Sequence, residues 1–431
     1  MFSLIASFAG CSSNETDPLP TDKLVIYCPP GAGFVFLDYA KYEFENKYPD
    51  VQLEYRSFTE NADGILVPAE GGGTQIDPEL TQSYVELLTT ELNAGKGPDV
   101  ILFFDNTFPD YYKVAEAGSF YNIDILMNQD DKFDKSNYVT SVFDGGYYKG
   151  KRLFIPLWYL PAYIIAYSSA LESVGISLSA QPTFQEWSEQ IINYIENHSY
   201  DENNQIFEEN FPTFTQFVDY SGLQIINYET SEIYVDSPEF EQFMKFWKSI
   251  YPYSLDKKGY MHSNPDQPET FQRLQKGEIL FDLEFNDEYV TDVYKQPSKD
   301  YPDLLFPFPR LDGANLTAVS WAYVAINNAS PNKVNAYNFI KILLSYGIQS
   351  KAYSPVEINS LRLNTNDEYV QAIRGESRLY NKNLHLEYRK KYGYGLMELV
   401  YEKMMPYFEG KSEYEVCVQE LTEILEFYLY E

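Results

Sequence analysis

Four tryptophans, Trp158, Trp187, Trp247 and Trp321, are the side chains of this sequence best suited to grip a flat, hydroxylated ring. An indole covers the C–H face of such a ring while polar neighbours take its hydroxyls. Trp187 and Trp247 fall at helical spacing beside apolar partners and are expected to pack inside the fold, because tryptophan is on average highly buried. Trp158 and Trp321 stand in strand-like runs near prolines, and are expected to reach a ligand. Tyr159 and Tyr163 accompany the first of them. As ligand contacts, Trp158 and Trp321 should each weaken binding by about 1–3 kcal/mol when replaced by alanine and leave the fold nearly untouched.

Carboxylates form the second candidate group. Asp105 closes "DVILFFD", where it can accept hydrogen bonds from two sugar hydroxyls, and a charged acceptor makes the stronger bonds. Its other possible role is to cap a helix beginning within residues 107–111. Glu284, in "FDLEFND", is either a polar ligand contact or a solvated strand end. "CPPGAG" offers backbone N–H groups around Gly33. It is not a dinucleotide fingerprint, since Gly31 and Gly33 are followed by Phe36 and not by a third glycine.

Catalytic and metal-binding patterns are scarce. The three histidines, His198, His262 and His385, form no HExxH motif, and neither a GxSxG elbow nor a P-loop occurs. "DENNQIFEE" lacks the sixth-position glycine of a calcium loop, where Ile206 stands, and its twelfth-position glutamate, where Pro212 stands. Cys28 and Cys417 have no metal-ligand spacing and are expected as small core residues. No cofactor and no metal are expected. The enzyme class left open is a glycosidase, because an acidic sequence always offers carboxylate pairs.

The formal net charge is −32. Binding nucleic acid needs clustered Lys and Arg to displace counterions, so it is excluded as a partner. Arg152 and Arg310 stand alone near the two tryptophan-bearing stretches, which disfavours an anionic ligand.

The elements that must position these residues follow a βαβ alternation. Leu24–Tyr27 and Val100–Phe104 are continuous apolar runs, the pattern of strands buried on both faces of a parallel sheet. Between them lie a helix with Leu37, Ala40 and Phe44 on one face and a helix with Tyr84, Leu87, Leu88 and Leu92. Such sheets bind ligands beyond the carboxyl ends of their strands. "RLFIPLWYLPAYIIAY" and "LLFPFPRLDGANLTAVSWAYVAINN" are strand-like runs broken by prolines, and both read as crossings between two α/β lobes. "SPNKVNAYNFIKILLSYG" predicts a helix capped by Ser330.

The amino terminus carries a separate signal. "FAGC" resembles a bacterial lipobox, in which the cysteine, here Cys11, becomes the lipid-bearing first residue. Met1–Phe8 is too short to span a bilayer, which takes about 20 apolar residues. The polar, proline-containing stretch Ser12–Asp22 then reads as a flexible tether.

"AGKGPDVILFFD", "YYKGKRLFIPLWYLPAYIIAY", "PTFQEW", "DSPEFEQFMKF" and "VAINNASPNKVNAYNFIKILLS" together resemble family 1 extracellular solute-binding proteins of ATP-binding-cassette importers, the maltose-binding-protein-like family. The resemblance implies an α/β, two-lobed periplasmic-binding-protein-like fold of type II. Each lobe is a mostly parallel sheet flanked by helices, with the ligand cleft between the lobes. The expected division is residues 1–22 as signal remnant and tether, 23–160 plus 305–350 as the first lobe, and 161–304 plus 351–431 as the second. It implies a monomer without enzymatic activity, anchored by lipid at the outer face of the cell membrane. Such a protein would capture a small solute, a carbohydrate above all, and deliver it to permease subunits. A ligand sensor on the same fold is the alternative.

Overall fold

The structure is a computed structural model. It describes residues 21–30, 35–57, 66–68, 74–76, 78–104, 107–108, 110–179, 181–198, 205–208, 212–258, 270–284, 304–313, 316–320, 322–350, 356, 386–388 and 391–430.

The chain first runs through β1 (Lys23–Cys28), α1 (Val35–Lys47), β2 (Gln52–Ser57), α2 (Pro78–Asn93), β3 (Val100–Phe104), α3 (Tyr111–Glu116) and β4 (Phe154–Pro156). It crosses through β5 (Leu160–Pro161) into β6 (Tyr163–Ala166), α4 (Phe184–Asn197), β7 (Gln205–Phe207), α5 (Phe214–Ser221), α6 (Pro238–Ile250), β8 (Ile279–Glu284) and β9 (Leu304–Pro307). It returns through β10 (Leu316–Val319) to β11 (Ala322–Ile326) and α7 (Lys333–Leu343). β12 (Leu386–Tyr388), α8 (Tyr394–Phe408) and α9 (Tyr414–Tyr430) follow.

The first lobe is built on the sheet β2-β1-β3-β11-β4. β1 pairs in parallel with β2 and β3, while β11 runs antiparallel to both β3 and β4. Four strands thus point one way and one points back. Alternate residues of β3 enter different cores. Val100 and Leu102 pack with Ile26 and Phe44 on one face, and Ile101 and Phe103 pack with Tyr27 and Tyr323 on the other. Burial on both faces is why these strands are apolar throughout rather than alternating. In α2, Val85 joins Tyr84 and Leu88 in the core, whereas Leu87 is exposed, a rotation of the expected face.

The second lobe is built on β7-β8-β6-β9, in which β6 alone runs against its neighbours. Trp187 and Trp247 are fully buried in its core, as their helical spacing predicts. Trp187 stacks on Phe217 at 5.9 Å and meets Phe281 and Phe308 edge-on. Cys417 lies in the same core beside Leu421 and Leu425, and Cys28 lies in the first. Cys28 and Cys417 are both buried.

Three details depart from the sequence reading. Leu304–Pro307 pairs with β6 in the second lobe, although residues 305–307 were expected in the first; their partner strand decides, not their nearness to the crossing. Val356 is buried in the first core, and its N–H donates to Gln349 Oε1 at 2.9 Å, although residues 351–431 are expected in the second lobe; the core it packs into decides. Ser330 does not cap α7: its hydroxyl donates to Asp99 (2.6 Å) and accepts from the Asn332 N–H, so the helix begins later.

Candidate functional site

Strand direction locates the site. β1, β2, β3 and β4 share one carboxyl edge, and β11 begins there. In the second lobe β7, β8 and β9 share one carboxyl edge, and β6 begins there. Pro156 ends β4 and Tyr163 begins β6, only seven residue steps away. A chain rises at most about 3.6 Å per residue, so the two edges border one space. Its floor is a three-stranded sheet of crossing segments, β12-β10-β5. Ala318 pairs with Pro161 and Val319 with Leu160. Thr317 pairs with Glu387.

At this edge Tyr163 faces Glu284 on one side of the ladder and Pro307 on the other. The structure therefore brings together two residues 121 positions apart that the sequence had offered separately. Trp158, Tyr159 and Tyr163 are all buried, and all three belong to the core cluster that contains Ile155, Leu157 and Ala322. Tyr163 thus has its backbone in the second sheet and its ring in the first core. Truncating Trp158 will therefore cost fold stability, contrary to the sequence-based expectation. Cys11, Gly33, Asp105 and Trp321 lie outside the described residues, as does the Glu284 side chain. The capping role open to Asp105 is filled by another residue: Asp110 caps α3, accepting from the Tyr112 and Lys113 N–H groups at 2.8 and 3.2 Å.

Both crossing arginines are consumed by carboxylates. Arg152 lies between the rings of Phe143 and Tyr147, 4.2 and 4.4 Å from their centroids. It donates to Asp124 (3.0 Å), Asp144 (2.7 Å) and the Phe143 carbonyl. Arg310 is held by Asp312 and Glu387. Neither guanidinium is left to receive an anion.

The lobes also meet beside the hairpin that precedes β4 and the start of α3, which follows the carboxyl end of β3. A cavity of about 200 Å³ lies there, walled by Tyr112 and Tyr148 of the first lobe and by Tyr228, Lys391 and Tyr392 of the second. Tyr111 donates to the Lys391 carbonyl (2.5 Å) and Tyr428 to Asp110 (2.5 Å); the Tyr148 hydroxyl donates to Glu116 (2.6 Å), with the Tyr228 carbonyl 3.3 Å away. Burial, reinforced by Asp110 and Tyr428, pushes the Tyr228 hydroxyl far above its ordinary pKa. It stays protonated. Sequence reasoning missed this junction, since tyrosine is abundant everywhere and no spacing relates residues 111, 228 and 428.

Among the described residues no group of His, Cys, Asp and Glu could hold a metal ion, and no helix is long and apolar enough to cross a membrane.

Comparison with solved structures places the fold. A sugar-binding protein, MalE, from Xanthomonas citri is 14% identical with a TM-score of 0.63, over 95% of this chain and 97% of that one. Maltose-bound MalE3 of T. maritima is 17% identical with a TM-score of 0.56, over 94% and 99%. An ABC substrate-binding protein of Listeria monocytogenes, solved in complex with cycloalternan, is 15% identical with a TM-score of 0.55, over 94% and 98%. At these identities the likeness is one of fold. Comparison with curated proteins by sequence gives no match. The profile of one family does match, over residues 35–350, which takes in every strand of the two lobe sheets except β1. With two lobes, a shared strand-end cleft and that match, the chain belongs to the bacterial extracellular solute-binding proteins.

Proposed function

We propose that the protein captures a neutral oligosaccharide in the cleft between its lobes and delivers it to the permease of an ATP-binding-cassette importer. The observation that carries this reading is the strand-end edge shared by the two lobes, where Tyr163 pairs with Glu284 five residues beyond Trp158. Aromatic rings and carboxylates are the residue types that suit a polyhydroxylated ring. The proposed contacts are Trp158 and Trp321 for stacking and Asp105 for hydroxyls, with Tyr159, Tyr163, Glu284 and the Gly33 backbone around them. An anionic ligand is disfavoured because Arg152 and Arg310 are already paired. Sugar ligands in several proteins of like fold support the same class. Lipid on Cys11 holds the protein, a monomer, at the outer membrane face, with residues 12–22 as tether; two or more acyl chains are needed for a stable hold.

A thermal-shift screen over sugars, amino acids and peptides tests the ligand class. A solute that binds only the folded form raises the melting temperature. A rise with maltotriose or another oligosaccharide is expected, and a rise with amino acids or peptides alone would refute the sugar reading. Cys11→Ala, expressed from the full-length gene, is expected to move the protein from the membrane fraction to the medium.

A further inference from the structure

The seam between the lobes beside α3 is closed by paired side chains. α3 is a first-lobe helix: Tyr111, Tyr112 and Ala115 lie in the core that holds Phe103 and Phe154. α9 is a second-lobe helix: Cys417, Leu421 and Leu425 lie in the core that holds Phe217 and Trp247. The Tyr428 hydroxyl of α9 donates across the seam to Asp110 Oδ2 at 2.5 Å, although the two residues are 318 positions apart. Asp110 is only 5% exposed, and its other oxygen accepts the Tyr112 and Lys113 N–H groups (2.8 and 3.2 Å). The first turn of α3 thus fixes the carboxylate that Tyr428 reaches. The Lys113 ammonium stands 3.9 Å from the centroid of the Tyr428 ring, a second tie on the same side chain.

Two further ties run beside this one. Tyr111 donates to the Lys391 carbonyl at 2.5 Å. Lys391 is held to the second lobe by its ammonium on buried Asp219 (3.1 Å), and its neighbour Tyr392 by the Ile225 N–H, which donates to the Tyr392 hydroxyl (2.8 Å). The rings of Tyr112 and Tyr228 lie 4.7 Å apart, tilted by 30°; Tyr228 stands two residues past Ile226 of the second core. The place of these ties decides what they do. Asp110 lies six residues past Phe104, the carboxyl end of β3, on the edge where the first lobe borders the cleft. Lobes that part carry this edge away from the second lobe, so α3 and α9 separate and water takes up the phenol and the carboxylate. A hydrogen bond to a charged acceptor keeps a net advantage over that exchange.

We infer that Asp110 and Tyr428 are positioning residues for solute capture: their hydrogen bond clasps α3 to α9 and holds the lobes together before a solute arrives. The inference rests on the reading that a solute is held between joined lobes, and on no particular solute. The apparent affinity for such a solute scales with the fraction of molecules already joined, so the clasp raises affinity without touching the solute. Phenylalanine at position 428 keeps the ring and its packing, the Lys113 contact included, and loses only the O–H.

The test measures the distance between spin labels at Ala117→Cys, at the end of α3, and Glu423→Cys, on α9, both exposed; the chain carries Cys11→Ala, and Cys28 and Cys417 are buried. Without added solute, the labelled chain with its tyrosines intact is expected to show mainly the short distance of joined lobes. Tyr428→Phe is expected to raise the ratio of parted to joined molecules about tenfold, seen as a second, longer distance, and Tyr428→Phe with Tyr111→Phe to raise it further. Distributions unchanged in both variants would overturn the inference, even if both melt at lower temperature, because a merely structural role moves stability alone. A chain with intact tyrosines found mainly at the longer distance would overturn it as well. Titration calorimetry with maltotriose decides the solute class separately. No binding refutes the sugar reading and leaves the distance result standing, whereas binding that weakens in the variants in proportion to the joined fraction supports both.

Discussion

Trp158→Ala separates a core residue from a pure ligand contact. Trp158 is 7% exposed and packs with Ile155, Leu157, Tyr159, Ala318 and Ala322, where the first core meets the sheet of crossing segments. Removing a large aromatic side chain from such a site costs about 3–5 kcal/mol, as lost transfer energy plus the cavity left behind. Relaxation is limited here because Leu157 and Ala162 on either side are tied by backbone hydrogen bonds to Ala322 and Thr317. For domains of this size each kcal/mol moves the melting temperature by about 2–4 °C, so a fall of about 6–20 °C is expected. Differential scanning calorimetry without added solute measures it. Trp158→Phe keeps most of the ring volume and should recover much of the loss, while still weakening sugar binding in titration calorimetry. A Trp158→Ala variant that melts within about 2 °C of wild type would refute the packing argument and make the indole a ligand contact alone.

Three further outcomes follow from the same geometry. Arg152→Met should cost about 1–3 kcal/mol, since it removes one of three donors to the largely buried Asp124 carboxylate and leaves Lys135 and Tyr147 in place; an unfolding midpoint within error of wild type would contradict this. Burial alone would raise the pKa of Asp124, but hydrogen bonds from Tyr147, Arg152 and Lys135 outweigh it and hold the group below its ordinary value. A carboxyl depressed by folding stabilises at pH values above its unfolded pKa, near 3.9. That stability is lost as pH falls through the lower folded value. Acid unfolding of Asp124→Asn should therefore depend less on pH below about 4 than that of wild type; equal slopes would oppose the assignment. Finally, small-angle scattering should give a smaller radius of gyration at saturating oligosaccharide, as hinge closure requires, and an unchanged radius would favour a rigid pocket.

Local pattern was enough for much of the framework. Continuous apolar runs at residues 24–27 and 100–104 marked strands buried on both faces, because only a doubly covered sheet tolerates no polar alternation. Trp187 and Trp247 were legible as core from their helical spacing, and the prolines at 156, 161, 307 and 309 marked the two crossings because proline interrupts a ladder. What the chain could not announce is anything that depends on which strands become neighbours. That Tyr163 faces Glu284, and that Leu304–Pro307 joins the second sheet, follows from register, which is set by packing of the whole lobe. Arg310 looked isolated in one dimension; Glu387, 77 residues on, reaches it only because β12 lies in parallel beside β10. The tyrosine junction of Tyr111, Tyr228 and Tyr428 has the same origin. Residue types and short spacings settle what an element is, since their physics is local. Pairing across hundreds of residues is a property of the assembled core, and tertiary structure alone decides it.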